Sequence, residues 1–259
     1  MISRRLVLTN FRSKFWTPCT QRNAKAFCSK VSPQPQNWEE VWKKIEDANK
    51  QKGLVKRSKD DLPLFQVGTE QEKDYKCLLR FILMSMTKNH LVDIALNNIL
   101  DHSSDPEVIL ETPDEDISEM IKNVRFHNKK IGYIKKSTKM FLEDFEGRLP
   151  SDTKSLNKFP GIGPVSSLMI SQMWFNKVQG IAVDSHIIRC AKLLGWTDGK
   201  TTAVVRKQLE SWLPKEKWGD IYFLLVFHGS EICTPRKPKC DSCSVRDLCP
   251  SSTYDGPTK

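Results

Sequence analysis

No stretch of the 259 residues approaches the 18 consecutive apolar positions that cross a membrane, which excludes a helical membrane protein. The period-2 alternation of a half-buried strand is missing, as are an Asn-Gly turn between apolar runs and any internal repeat. What remains is apolar residues recurring at three- and four-residue intervals, so the fold class is all-α. Acid is in deficit: 31 Asp and Glu against 41 Lys and Arg leave a formal charge of +10. A basic chain of this kind favours polyanionic partners, nucleic acid first. Eight cysteines in a chain this long are too few for a disulfide scaffold, and four of them are bunched near the C-terminus.

Acid is absent altogether from residues 1–38, which carry Arg4, Arg5, Arg12, Lys14, Arg22, Lys25 and Lys30 interleaved with Leu6, Val7, Leu8, Phe11, Phe15 and Trp16. That is the composition of a mitochondrial transit peptide, the alternative being a disordered basic tail or a nuclear address. Pro33 to Pro35 closes this leader, taken as 1–37. Helical spacing then predicts helices over 38–50, 76–86 and 91–100, with a polar surface loop at 50–61. Thr112 is the expected N-cap of the next helix, with Pro113 at its first position. A helix over 129–146 buries Ile131, Ile134 and Phe141 and sets Lys129, Lys130, Lys135, Lys136 and Lys139 on its other side. Such a face is either solvated or turned to phosphates. Helices over 203–213 and 220–228 follow, the second apolar on every side and ended by Gly229.

Residues 156–189 carry the clearest chemistry. Phe159-Pro160-Gly161-Ile162-Gly163 is a tight turn before a helix, and Ile181-Ala182-Val183-Asp184 delivers a carboxylate to the start of another. Glycines let backbone approach a ligand, and the unpaired amides opening a helix attract anions, so Pro160, Gly161, Ile162 and Gly163 can grip a phosphate without reading a base. An ordinary αα-hairpin is the plain alternative. Asp184 has a structural role open to it as cap of the following helix.

Cys233, Cys240, Cys243 and Cys249 follow the spacing C-x6-C-x2-C-x5-C. Four thiolates in so short a loop suit either tetrahedral zinc or a [4Fe–4S] cluster, and ligand type alone does not choose between them. Cys77 and Cys190 sit in apolar helices and read as buried residues.

The run L-x-x-F-P-G-I-G followed by I-A-V-D-S-H resembles the helix-hairpin-helix DNA glycosylases, in particular the endonuclease III branch. The cysteine spacing is similar to that family's iron–sulfur loop at all four positions, which implies a [4Fe–4S] cluster. The resemblance covers roughly 38–250. It implies a six-helix domain over 71–179, a cluster domain made of 38–70 plus 180–250, a tail at 251–259, and DNA lying across the cleft between the domains. It further implies a monomer that acts on damaged bases in double-stranded DNA, in mitochondrion or nucleus, with no membrane partner. The family excises oxidised pyrimidines by flipping the nucleotide into a pocket. A lysine attacks the sugar and nicks the strand through a Schiff base, while an aspartate, here Asp184, stabilises the cationic sugar.

Three positions depart from that pattern. Val165 stands where the family's nucleophilic lysine belongs, and a valine has no lone pair. Met86 replaces the glutamine that enters the gap left by the flipped base, within Ser85-Met86-Thr87-Lys88-Asn89. Arg125-Phe126-His127 stands for a Gly-Phe/Leu-Tyr turn. The readings these leave are a glycosylase without lyase action, a catalytically inactive DNA-binding relative, and an electron-transfer protein that would leave the hairpin without a purpose.

Overall fold

The computed structural model describes residues 34–54 and 65–254. The leader with Cys19 and Cys28, most of the polar loop after Gly53 and the last five residues lie outside the described residues. Eleven α-helices and no strand are found among those described: α1 Trp38–Gln51, α2 Glu70–Met84, α3 Asn89–His102, α4 Pro106–Glu111, α5 Asp114–Met120, α6 His127–Glu143, α7 Thr153–Leu156, α8 Pro164–Phe175, α9 Ser185–Leu193, α10 Thr202–Trp212 and α11 Ile221–Glu231. None of these is long and apolar enough to cross a membrane.

Helix α2 begins six residues before the expected Lys76. Its first turn is polar, so hydrophobic period cannot find it, but a capping box does. Thr69 Oγ1 accepts from the Glu72 N–H at 3.2 Å, and the Glu72 carboxylate accepts from the Thr69 N–H at 2.7 Å. Hydrogen bonds from Ser104, then from Thr69, hold the Glu72 carboxyl down at about 2. The expected start at Thr112 is also corrected. Thr112 closes the short α4, donating its hydroxyl to Val108 O at 2.8 Å, and Pro113 is the N-cap of α5.

Two hydrophobic cores form within one compact unit. The first gathers α2, α3, α6 and α8 around fully buried Leu78, Leu83, Leu96, Phe141 and Phe159. Its keystone is Asp74, 1% exposed. That carboxylate accepts from Arg148 Nε at 2.8 Å, Leu149 N–H at 3.1 Å and Trp174 Nε1 at 2.5 Å, so neither oxygen of the buried charge is left without a partner. The second core packs α1 against α9, α10 and α11. It is rich in tryptophan: Trp42 stacks on Trp196 at 6.5 Å, and Trp212 meets Trp38 and Trp196 edge-on.

Gly229 does not end α11, contrary to expectation; the helix continues to Glu231. A Cβ there would lie 2.9 Å from both Arg189 Nη2 and Cys190 Sγ and 3.1 Å from His186 Nδ1. The glycine is present so that α11 and α9 can touch backbone to side chain, a requirement invisible to local sequence.

Candidate active site

The hairpin is built from its own backbone. Asp152 caps α7 through the Ser155 N–H at 2.8 Å, Phe159 closes onto Leu156 O at 3.2 Å, and Ile162 closes onto Phe159 O at 3.0 Å. Ser137 of α6 donates to Pro160 O at 2.8 Å and locks the turn to the first core. Gly161 sits at φ +88°, the left-handed region, and a Cβ on it would approach the Tyr133 ring to 3.1 Å. Gly163 differs: its φ is −98° as the N-cap of α8, and a Cβ on it would meet open space. Gly161 is therefore required by the turn, whereas Gly163 keeps a clear approach to the α8 N-terminus. The N–H groups of Gly161, Gly163, Val165 and Ser166 have no hydrogen-bond partner among the described residues and remain available to an anion.

Val165 occupies the first turn of α8, half-buried against the first core. Met169 and Met173 follow at i+4 and i+8 on the same face. Both line a cavity of about 310 Å³, walled also by Arg80, Phe81, Met84 and Asn89 from the α2–α3 side and by Tyr222 and Phe223 from α11. Arg80 is engaged in an ion pair with Asp93.

Asp184 is the N-cap of α9. Its Oδ1 accepts from the His186 and Ile187 N–H groups at 2.8 and 3.0 Å, and Oδ2 has no hydrogen bond among the described residues. The extended segment before it is pinned by Ile181, whose N–H donates to Glu210 at 2.8 Å and whose carbonyl accepts from Arg206 Nε at 2.9 Å. The charge of Asp184 reaches Tyr222. Burial first, and that charge second, push the Tyr222 phenol well above its usual range. Sequence reasoning missed Tyr222, because only the packing of α11 on α9 brings it to the site.

The basic face of α6 needs correction. Lys130 is 3% exposed. Its Nζ donates to Leu83 O at 2.6 Å, Ser85 O at 2.7 Å and Thr87 Oγ1 at 3.1 Å, which caps the C-terminal end of α2. Burial lowers its pKa to about 8. Lys135 likewise turns inward, to Leu110 O at 2.6 Å and to Thr112 O, completing α4. Lys129, Lys136 and Lys139 stay exposed. Two long, flexible lysines that read as surface charge are thus helix caps, and Lys130 shapes the turn that presents Met86. Met86 is 66% exposed at φ +58°, and Phe126 is 53% exposed at φ +60°. Non-glycine residues seldom hold that conformation. Both strained positions flank Lys130, and both present an apolar side chain to solvent. Phe126 is a second residue the sequence did not single out, although its turn was noted.

The four C-terminal cysteines line one cavity of about 60 Å³, joined by Leu193, His228, Ile232 and Val245. The donor set is four sulfurs. Among the described residues, no three His, Cys, Asp or Glu side chains close upon a single-ion geometry. A multi-iron group that brings its own sulfide takes four thiolates of this kind. Arg189 of α9 bonds Cys233 O through Nε at 3.1 Å and Nη2 at 3.0 Å, and Gly229 O at 2.8 Å. The helix capped by Asp184 is therefore bolted to the cysteine loop. Cys77 and Cys190 are buried, as expected.

An all-helical protein with a glycine hairpin, a capping aspartate and a four-cysteine loop is the class this geometry defines. Residues 79–215 match the profile of the HhH-GPD superfamily base excision DNA repair protein, and residues 233–249 that of the iron–sulfur binding domain of endonuclease III. The chain belongs to the HhH-GPD superfamily, in its endonuclease III branch, and its cofactor is a [4Fe–4S] cluster. It is 34% identical to mouse endonuclease III-like protein 1 over 85% of this chain and 74% of that one. It is 35% identical to Arabidopsis thaliana endonuclease III homolog 1, chloroplastic, over 84% of this chain but only 60% of the relative. In fold it is similar to endonuclease III from a non-covalent DNA complex, with a TM-score of 0.68 over 82% of this chain and 95% of that chain at 23% identity.

Proposed function

We propose that this chain is a base excision repair DNA N-glycosylase that extrudes an oxidised pyrimidine from duplex DNA and hydrolyses its glycosidic bond without nicking the strand. The observation that carries the reading is the pairing of Val165 with Asp184. The first turn of α8 offers no amine, while Asp184 holds one carboxylate oxygen unbonded. Lys158, on the other side of the hairpin turn, is exposed and poorly placed to substitute for the missing amine. A relative solved as a trapped endonuclease III–DNA covalent intermediate supports the DNA substrate class.

In this reading the free amides of Gly161, Gly163, Val165 and Ser166 hold a backbone phosphate, with Lys129 adding charge nearby. Met86 fills the gap left by the extruded nucleotide, and the cavity under Val165 receives the base. Water attacks C1′ as the glycosidic bond breaks, the electron pair leaves with the base, and Asp184 stabilises the cationic sugar and takes the water's proton. Cys233, Cys240, Cys243 and Cys249 would hold the cluster through their thiolates, which would tie down the loop that Arg189 clamps to α9. The division into a hairpin domain at 71–179 and a cluster domain at 38–70 plus 180–250 belongs to the same proposal, as does action as a monomer in mitochondrion or nucleus.

Borohydride should trap no covalent adduct with abasic DNA. Base release from an oxidised-pyrimidine duplex should appear only after alkali cleaves the product, and Asp184→Asn should abolish it with DNA affinity retained. Efficient trapping by the unaltered protein would reveal another amine and overturn the assignment. The apolar Val165 and Met86 also suit an inactive DNA-binding relative, and failure to release any oxidised pyrimidine would favour that reading.

A further inference from the structure

His228 is a buried side chain that base excision does not use. It shares one face of α11 with the buried Ile221, Leu224 and Leu225 and is itself 4% exposed. That spacing by itself describes a core histidine. The packing adds a second feature, because His228 also lines the cavity of about 60 Å³ shared by the four cysteines. The other polar side chains of that wall, Lys239, Arg246, Ser251 and Ser252, are exposed or half-buried. His228 meets the cysteine loop twice. Its carbonyl accepts from the Cys233 N–H at 2.9 Å, and its ring Nε2 lies 4.0 Å from Cys243 Sγ, within reach of a hydrogen bond to sulfur. Cys249 is placed differently: its Sγ faces the Leu193 carbonyl oxygen at 3.5 Å, an acceptor rather than a donor.

We infer that His228 is a positioning residue of the cluster site, its Nε2–H donating to the Cys243 sulfur and so favouring the electron-richer state of the cluster. This rests on the four cysteines holding an iron–sulfur cluster. A thiolate bound to iron carries no hydrogen, so the hydrogen between these two atoms belongs to the imidazole. A buried N–H without a partner is costly, which favours the contact from the side of the protein. From the side of the sulfur, a donor stabilises negative charge, and the thiolates carry more of it when the cluster gains an electron. Hydrogen bonds to the sulfurs are one of the levers that set such potentials. Only an electron moves, and the imidazole keeps its hydrogen in both states. The donor singles out Cys243 from Cys249, so the ligands are not equivalent.

The test is the midpoint potential of the cluster in the full chain, measured by voltammetry. His228→Phe keeps a ring and removes the N–H. It should favour the oxidised cluster about tenfold at a given potential, a fall of about 59 mV for one electron. His228→Gln, whose amide N–H reaches to the place of Nε2, should recover most of that shift. A histidine that only fills space would change melting temperature or iron content without moving the potential of the clusters retained. A second measurement does not depend on the Phe variant assembling. Pulsed EPR of wild-type protein carrying 15N-labelled histidine, its cluster made paramagnetic by one-electron transfer, should show a nitrogen coupling that His228→Gln removes. A wild-type potential in cluster-loaded His228→Phe, or no histidine coupling in the wild type, would overturn the inference and leave the cluster in place. Purified wild-type protein that holds zinc and no iron would overturn both.

Discussion

The hairpin at 159–165 and the cysteine loop at 233–249 differ in what completes them. The hairpin satisfies its own backbone: Asp152 caps its entrance, Ile162 folds back on Phe159 O, and Ser137 anchors Pro160. The cysteine loop is bonded along its backbone too, from Cys233 N–H to His228 O, Lys239 N–H to Ile232 O, Cys243 N–H to Cys240 O and Cys249 N–H to Val245 O, but its four thiols form no disulfide and line a common cavity. A phosphate-gripping turn must exist before its ligand arrives. A cluster loop is completed by the group it holds, because metal–thiolate bonds replace a hydrophobic core that so short a segment cannot make.

The widest way to break this contrast is to remove the cluster. Cys243→Ser, or anaerobic iron chelation, should abolish the iron–sulfur absorbance. It should also expose the α9–α11 amides to hydrogen exchange while those of α2 and α8 stay protected. Equal loss of protection in both cores would mean that the cluster supports the whole unit. Next in size is the buried carboxylate of the first core. Asp74→Ala strands the Leu149 N–H and the Trp174 indole, and should cost about 3 kcal/mol in a denaturant titration with iron content unchanged. The smallest effects separate the two glycines of the turn. Gly161→Val should cost about 2 kcal/mol from its left-handed φ and the nearby Tyr133 ring. Gly163→Thr, which keeps a good N-cap in open space, should change stability by less than about 0.5 kcal/mol. It should still weaken DNA binding, since its side chain stands where a phosphate must approach. Equal DNA affinity for Gly163→Thr and wild type would take the α8 amides out of the DNA interface.

Local sequence marked the hairpin, the capping role of Asp184 and most helices, because caps, turns and periodic apolar stripes act over a few residues. It did not separate the two glycines: Gly161 has a left-handed φ that the turn requires, whereas Gly163 does not and faces open space. It also misread Thr112, whose hydroxyl completes α4, a six-residue helix too short to show a period. Lys130 and Lys135 carry no local sign that they turn inward, since their acceptors lie 43 to 47 and 23 to 25 residues away along the chain.

The sequence by itself determined an all-helical chain of the endonuclease III branch, a four-cysteine cluster loop, and the residues at the two positions proposed for the reaction, an aspartate at 184 and no lysine at 165. These follow from residue identity at fixed spacing, and spacing survives in one dimension. Tertiary structure alone decided that Gly229 lets α11 touch α9, that Lys130 holds the Met86 turn, that Arg189 ties the Asp184 helix to the cysteine loop, and that Tyr222 of α11 lines one cavity with Met169 and Met173 of α8. Each depends on helices far apart in the chain meeting at a set distance, and that distance is fixed by the packing of the whole core rather than by any segment within it.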